Sequence, residues 1–289
     1  MAKLEILTKT YAPDLELFED LHASVAKFTD DHVVHRVVVD DADRDLFERF
    51  QSERCQIRGV QETLSRAFVK VPTKNLMINL RHPWPPVRGW VLQQLVKLSM
   101  AERSDADVIL LIDSDVVLTK PVDASTFLND GKPVFSRLEG GVHGGMGRHI
   151  RWHKAAREML GLSNEVVGPV NDYVDAFNIW SPDVVRRLCS RVSDKSGKPW
   201  QTVFAANLHV SEFILYGVFV DEVLGEHAPV SAVNRMRCHN YWDDVPLDLD
   251  AALSFVARAR ADDVALMISA KSGTELSIRR QAIARAQGL

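Results

Sequence analysis

Cysteine is scarce: Cys55, Cys189 and Cys238 are the only three in 289 residues. Their odd number, wide spacing and lack of a C-x-x-C pair exclude a disulfide frame or a zinc ribbon and fit reduced thiols. No stretch approaches 18 uncharged apolar residues, so no membrane-spanning helix is expected. The opening residues Met1–Leu7 are too short and too charged for a signal peptide and read as a first strand. There is no G-x-G-x-x-G, no G-x-x-x-x-G-K-[ST] and no G-x-S-x-G, which removes the common dinucleotide, P-loop and hydrolase fingerprints. Positive charge is not in excess either. With 35 Lys and Arg against 39 Asp and Glu the formal net charge is −4, the wrong sign for a nucleic-acid surface, so no nucleic-acid partner is expected.

What is present is an ordinary globular composition, 46% hydrophobic and 26% charged, long enough for one large α/β domain. No clean linker or repeat divides the chain. The first part alternates strand and helix: a strand at 4–8, a helix at 14–28 with Asp14 as N-cap and Leu17, Leu21, Val25 and Phe28 on one face, and a strand at 33–39. A short helix through Leu46, Phe47 and Phe50 and a strand at 55–60 follow. This rhythm predicts a mostly parallel sheet flanked by helices. The four prolines in 70–88 predict a loop. A helix is expected over 90–103, with Leu92, Leu95, Val96 and Ser99 on one face and Gln93 and Lys97 on another. Five glycines in 139–148 predict a mobile loop, and further helices are expected at 153–161, 182–192, 199–207, 249–260 and from 275, with a strand at 264–268.

The sharpest local signal is the run Val108-Ile109-Leu110-Leu111-Ile112 ending at Asp113-Ser114-Asp115. An unbroken apolar run is how a strand buried on both faces reads. D-x-D triplets occur five times here, but only this one directly follows such a strand, at the end where open α/β sheets bind ligands. Two carboxylates there are costly to desolvate without a cation, and a hard divalent cation with oxygen ligands meets that need. A strand-end turn with two solvated aspartates is the plain alternative.

The blocks Gln93-Gln94-Leu95-Val96-Lys97-Leu98, Leu110-Leu111-Ile112-Asp113-Ser114-Asp115, Lys198-Pro199-Trp200-Gln201 and Ser211-Glu212-Phe213-Ile214-Leu215-Tyr216-Gly217 together resemble GT-A glycosyltransferases. More narrowly they resemble a poorly characterised bacterial family of such enzymes, over roughly residues 3–245. The resemblance implies a single GT-A-like, Rossmann-like domain: a nucleotide-sugar-binding half over about 1–120 and an acceptor-binding and C-terminal half over about 121–289. It implies a metal-dependent transfer from a nucleotide-diphosphate sugar, a UDP-sugar preferred, to a sugar or glycoside hydroxyl, with Mn2+ or Mg2+ as cofactor. Carried over residue by residue, Asp115 is the direct metal ligand, Asp113 a metal or ribose contact, and Ser114 lies between them on the nucleotide. Lys97 faces the donor phosphates or sugar, with a solvated helix lysine as its alternative. Glu212 is the acceptor-side base, an inverting route preferred; the alternative is a helix-start carboxylate capped by Ser211. His239, in Cys238-His239-Asn240-Tyr241-Trp242, is a further metal ligand, weighed against a hydrogen-bonded histidine with no metal.

Thr8, Lys9 and Tyr11 after the first strand, and Asp40, Asp41 and Asp43 after the second, stand where a base and ribose are bound in such sheets, with surface turn residues as the alternative. Asp172, Tyr173 and Trp180 are the acceptor-side candidates, with the glycine-rich segment as a lid that expels water. Trp180 also fits a core position. A nucleotidyltransferase shares this scaffold but normally has a glycine-rich basic loop after the first strand, which Thr8–Pro13 lacks. A sugar-nucleotide-binding protein without catalysis is the third reading, since fold alone never establishes activity. The absence of a membrane segment fits a cytoplasmic protein, with room for peripheral contact at the inner membrane face.

Overall fold

A computed structural model describes residues 2–71 and 76–289. The chain opens with β1 (Leu4–Lys9), α1 (Leu15–Phe28), β2 (Val34–Val39), α2 (Arg44–Phe47) and β3 (Cys55–Gly59). These three strands pair in parallel, as the alternating pattern predicts. The buried stripe of α1 runs through Phe18, Leu21 and Val25, one residue round from the predicted face. Asp14 does stand at the N-cap position, but its carboxylate makes no capping bond and is left free.

After α3 (Val60–Thr63), the predicted loop at 70–88 is instead a meander of three antiparallel strands, β4 (Phe68–Val71), β5 (Leu76–Asn79) and β6 (His82–Val87). The part of that expectation on 72–75 lies outside the described residues. The prolines misled because β6 is the edge of the meander, where missing N–H donors cost no ladder bonds on the open side. Helix α4 (Gly89–Arg103) crosses back, and β7 (Val108–Ile112) adds to the other side of β1. The remaining elements are β8 (Val116–Leu118), β9 (Leu128–Asn129), β10 (Lys132–Ser136), β11 (Leu138–Val142), α5 (Gly147–Met159), β12 (Val170–Asp172), β13 (Phe177–Trp180), α6 (Pro182–Ser196), α7 (Trp200–Ala205), α8 (Glu212–Val218), β14 (Ser231–Val233), β15 (Cys238–Tyr241), α9 (Leu249–Ala257), β16 (Ala265–Ile268) and α10 (Leu276–Ala286). The glycine-rich segment is therefore not one long loop: β11 takes its first part, and α5 begins at Gly147.

The central sheet has the order β13-β7-β1-β2-β3, parallel except for β13, which runs antiparallel to β7. The fold is α/β, with helices on both faces. On one face Leu7, Val38, Ile109 and Leu111 pack with residues of α4, α6 and α8. On the other, Leu4, Ile6, Val37, Leu110 and Ile112 pack with α1. A smaller sheet of order β15-β16-β8 continues from the end of β7 and carries α9 and α10. The chain order reverses between β1 and β7: from β1 the strands proceed outward to β3, then return to the far side of β1. Such a switch point leaves a crevice at the carboxyl ends of the two strands. Among the described residues no helix is long and apolar enough to cross a membrane.

Candidate functional site

The crevice opens where Lys9-Thr10-Tyr11 leave β1 and Asp113-Ser114-Asp115 leave β7. Ser114 Oγ donates to Thr10 Oγ1 at 2.8 Å, a buried bond that ties the two strand ends together. The carboxylates on either side of Ser114 take different partners. Asp113 keeps 40% of its side chain exposed. Asp115 accepts a bond from the Ala270 amide at 2.8 Å on Oδ2, and its carbonyl accepts one from Arg279 Nη2 at 3.3 Å. Burial, then the charge of Asp113, raises the Asp115 pKa. Asp14, unused as a cap, has its pKa pushed up to about 6 by burial and then by Asp115 and Asp113. It is a member of this acidic group that sequence reasoning took only for a cap.

Lys97 is not the solvated lysine that was the alternative to a site role. Helix α4 is enclosed from Gln94 to Ala101, and Lys97 is 3% exposed. Its Nζ lies 2.8 Å from Asp113 Oδ1 and 3.6 Å from Glu212 Oε1. Burial opposes its charge, but Asp113 and Glu212 outweigh that and raise its pKa, so the ammonium stays charged. Glu212 is equally buried, and burial raises its pKa even though Lys97 pulls the other way. The carboxylate is at the start of α8, where the helix dipole favours negative charge. Two bonds fix that start: the Ser211 hydroxyl accepts from the Ile214 amide at 3.4 Å, and Gln94 Oε1 accepts from the Glu212 amide at 2.9 Å. Gln94 in turn donates to the Trp90 carbonyl at 3.1 Å. Thus three residues far apart in sequence, Lys97, Asp113 and Glu212, form one buried-to-exposed ionic bridge. Gln94, to which no individual role is assigned from the sequence, holds its far end.

At the β1 and β2 ends of the crevice is a cleft of about 320 Å³ lined by Lys9, Tyr11, Asp40, Asp41, Lys70 and Gln93, among others, while Lys97, Asp113 and Glu212 lie outside its wall. Its volume suits a small organic ligand. Lys9 Nζ bonds Asp40 Oδ1 at 2.7 Å, while Tyr11 is 44% exposed. Asp41 Oδ1 accepts from the Gln61 amide at 3.3 Å, an approach that Gly59 permits, since a Cβ there would lie 2.2 Å from that oxygen. Asp43 instead accepts from the Ala12 amide at 2.8 Å and braces the turn after β1.

Four expected residues lie elsewhere. Thr8 is fully buried, its hydroxyl 2.9 Å from His35 Nε2, because side chains alternate along β1 and Thr8 falls on a core face. Trp180 is also enclosed, stacked on Tyr216 at 5.2 Å and edge-on to Phe213 at 5.7 Å, so it is a core residue and not a sugar platform. Tyr173 is buried against Gly217 with its hydroxyl on Asp221 at 2.7 Å. His239 stacks on Phe255 at 4.1 Å with Nε2 bonded to the Phe255 carbonyl at 2.8 Å. Among the described residues, only His22, His35 and Cys55 bring three potential ligand atoms within 4.8 Å of one another. His239 does not join Asp113 and Asp115 in such a set. Asp172 remains partly exposed, capping the turn through the Tyr173 and Val174 amides and lying 3.2 Å from His149 Nδ1. Asp175, not anticipated, accepts from Asn240 Nδ2 at 3.1 Å, and burial pushes its pKa up to about 6. Its position just before β13 gives no sequence signal.

Residues 3–242 match the profile of a family described as a family of unknown function (DUF6492), and the chain belongs to that family. No curated protein matches it.

Proposed function

We propose that this DUF6492 protein is a metal-dependent glycosyltransferase of the GT-A kind, moving a sugar from a nucleotide-diphosphate sugar to a hydroxyl acceptor. The observation that carries the reading is the bridge of Lys97 to Asp113 and Glu212 at the switch point of the sheet. It joins three of the four sequence blocks on which the resemblance rests. A purely structural role for each block does not require them to converge on one charged group at that switch point.

The cleft walls divide the ligand's parts by chemistry. Tyr11 offers an exposed ring for a base, and Asp40 and Asp41 offer acceptors for ribose hydroxyls. Asp113, with 40% of its side chain exposed, and Asp115 are the carboxylates that would hold a divalent cation, with the substrate diphosphate and water completing its shell. Asp14, Asp113, Asp115 and Glu212 bring four carboxylates to the region, against the three cations Lys9, Lys97 and Arg279. The rise in the Asp14 pKa reflects that surplus of negative charge, burial being its first cause. A Mn2+ or Mg2+ ion bound there would supply Lewis-acid neutralisation of the diphosphate leaving group.

The chain's own residues account for the rest. Lys97 fixes the separation of Asp113 and Glu212 and prevents their mutual repulsion. Glu212, with its basicity raised by burial, takes the proton of the acceptor hydroxyl. In that step the acceptor oxygen forms a bond to the anomeric carbon as the bond from that carbon to the diphosphate breaks. The single displacement inverts the anomeric centre.

Thermal unfolding with UDP or GDP, each with and without Mn2+, tests the reading. At about 100 times its dissociation constant a ligand adds roughly 2.7 kcal/mol, or about 4–5 °C for a chain of this size. One diphosphate should raise the midpoint only with metal, and Asp115→Asn should abolish the rise. If neither diphosphate moves the wild-type midpoint under any metal condition, the donor site is elsewhere or absent.

A further inference from the structure

We infer that the β4–β6 meander is a docking surface for an anionic phospholipid membrane. The inference does not depend on the chemistry proposed for the cleft. Its first support is charge. Residues 63–101 contain no Asp or Glu at all but six cations, Arg66, Lys70, Lys74, Arg81, Arg88 and Lys97, leaving the rest of the chain at −10 against an overall −4. Among the described residues, Arg66, Lys70, Arg81 and Arg88 enter no ion pair, in contrast to the buried Lys97. Arg66, Arg81 and Arg88 are exposed.

The second support is the face that the meander turns outward. Its strand register pairs Val69 with Ile78 and Val71 with Leu76 on one side, and Phe68 with Asn79 and Lys70 with Met77 on the other. Phe68 and Met77 join the core. The opposite side is therefore aliphatic at all four positions of β4 and β5. An antiparallel sheet with one face on the core normally has polar residues there. Val69 and Leu76 are exposed, and none of the four packs into the core. The hairpin that follows raises Leu80, 64% exposed, and Trp84, 78% exposed, with Arg81 between them. Exposed indole and aliphatic groups on a segment whose exposed arginines have no acidic partner are the composition that partitions into the headgroup boundary of an anionic bilayer.

Charge complementarity separates this occupant from a second copy of the chain. Two meanders placed face to face would oppose cation to cation, whereas anionic headgroups match them. Lys70, Met77 and Val87 on the inner side of the meander, with the exposed Leu76 at its rim, form part of the cleft wall, so docking would bring the cleft to the bilayer surface.

Vesicle flotation of the full chain tests this, using phosphatidylcholine alone and phosphatidylcholine mixed with phosphatidylglycerol. The protein should float with the mixed vesicles at low salt, with a blue shift of Trp emission, and not with phosphatidylcholine alone. Arg81→Gln with Arg88→Gln should lower partitioning about 30-fold, from roughly fivefold per cation. Leu80→Ser with Trp84→Ser should abolish it. All four side chains are exposed, so an unchanged thermal midpoint will show that the variants fold. Equal binding to both vesicle types, or binding to neither, overturns the proposal. So does concentration-dependent dimerisation that these substitutions abolish in the absence of vesicle binding, which would identify the face as a self-interface.

Discussion

Replacing Lys97 by Met removes one charge from the bridge while keeping most of the stem's volume. The consequences for its two partners are unequal. Asp113 keeps 40% of its side chain exposed and is rehydrated at little cost. Glu212 is 4% exposed in its side chain and is left as an unpaired buried carboxylate. Breaking a buried pair on one side costs about 3–5 kcal/mol, a large share of a typical domain's stability. Without Lys97, the already raised pKa of Glu212 climbs further. The folded state then keeps a proton that the unfolded carboxyl, with a reference value of 4.5, has lost. The defect of Lys97→Met should therefore grow as pH rises above the raised wild-type value of Glu212 and shrink as pH falls below it. Urea unfolding of the wild type, Lys97→Met, Glu212→Gln and the double variant measures this directly. Adding Glu212→Gln to Lys97→Met removes the stranded charge and should recover roughly 1.5–3 kcal/mol. A Lys97→Met loss below about 1 kcal/mol, the range of exposed ion pairs, would refute the buried bridge. So would a double variant no more stable than the single.

Two further perturbations probe the scaffold. His35 is fully buried, and burial, with His22 second, depresses its pKa to about 3. The unfolded imidazole takes up a proton below pH 6.5 while the folded one stays neutral, so stability falls with acidity. From pH 7 to pH 5 the wild type should lose about 2 kcal/mol more than His35→Gln in paired urea titrations. Equal losses would show that the site does not hold the neutral form. Gly217→Ala puts a methyl 2.1–2.4 Å from the Tyr173 ring and must displace it from Asp221. A loss of about 1–3 kcal/mol in the same assay is expected, and a neutral effect would place Tyr173 elsewhere.

The parallel strands and α4 are legible because period-2 and unbroken apolar runs are strong local signals, and β7 reads directly from Val108 to Ile112. The short strands β8, β13 and β15 are not, because three or four residues carry too little periodicity and their pairing is non-local. The same limit applies to side chains. The position of Asp113 is readable from the strand before it, but the burial of Lys97 is not. Helix α4 is covered on all sides, so its lysine sits in no polar stripe that would mark its environment. Trp180 and His239 looked like ligand contacts because aromatic and imidazole groups serve either role. Stacking on Tyr216 and on Phe255 assigns each to packing.

The clamp on Asp115 has a consequence for the chain's modularity. Its partners, the amide of Ala270 and the guanidinium of Arg279, and the strand β16 that pairs with β8, all lie beyond residue 242, where the family match ends. The segment that tunes the second aspartate is thus outside the part by which the family is recognised. The end of the family match and the end of the structure that holds Asp115 are different lines in this molecule.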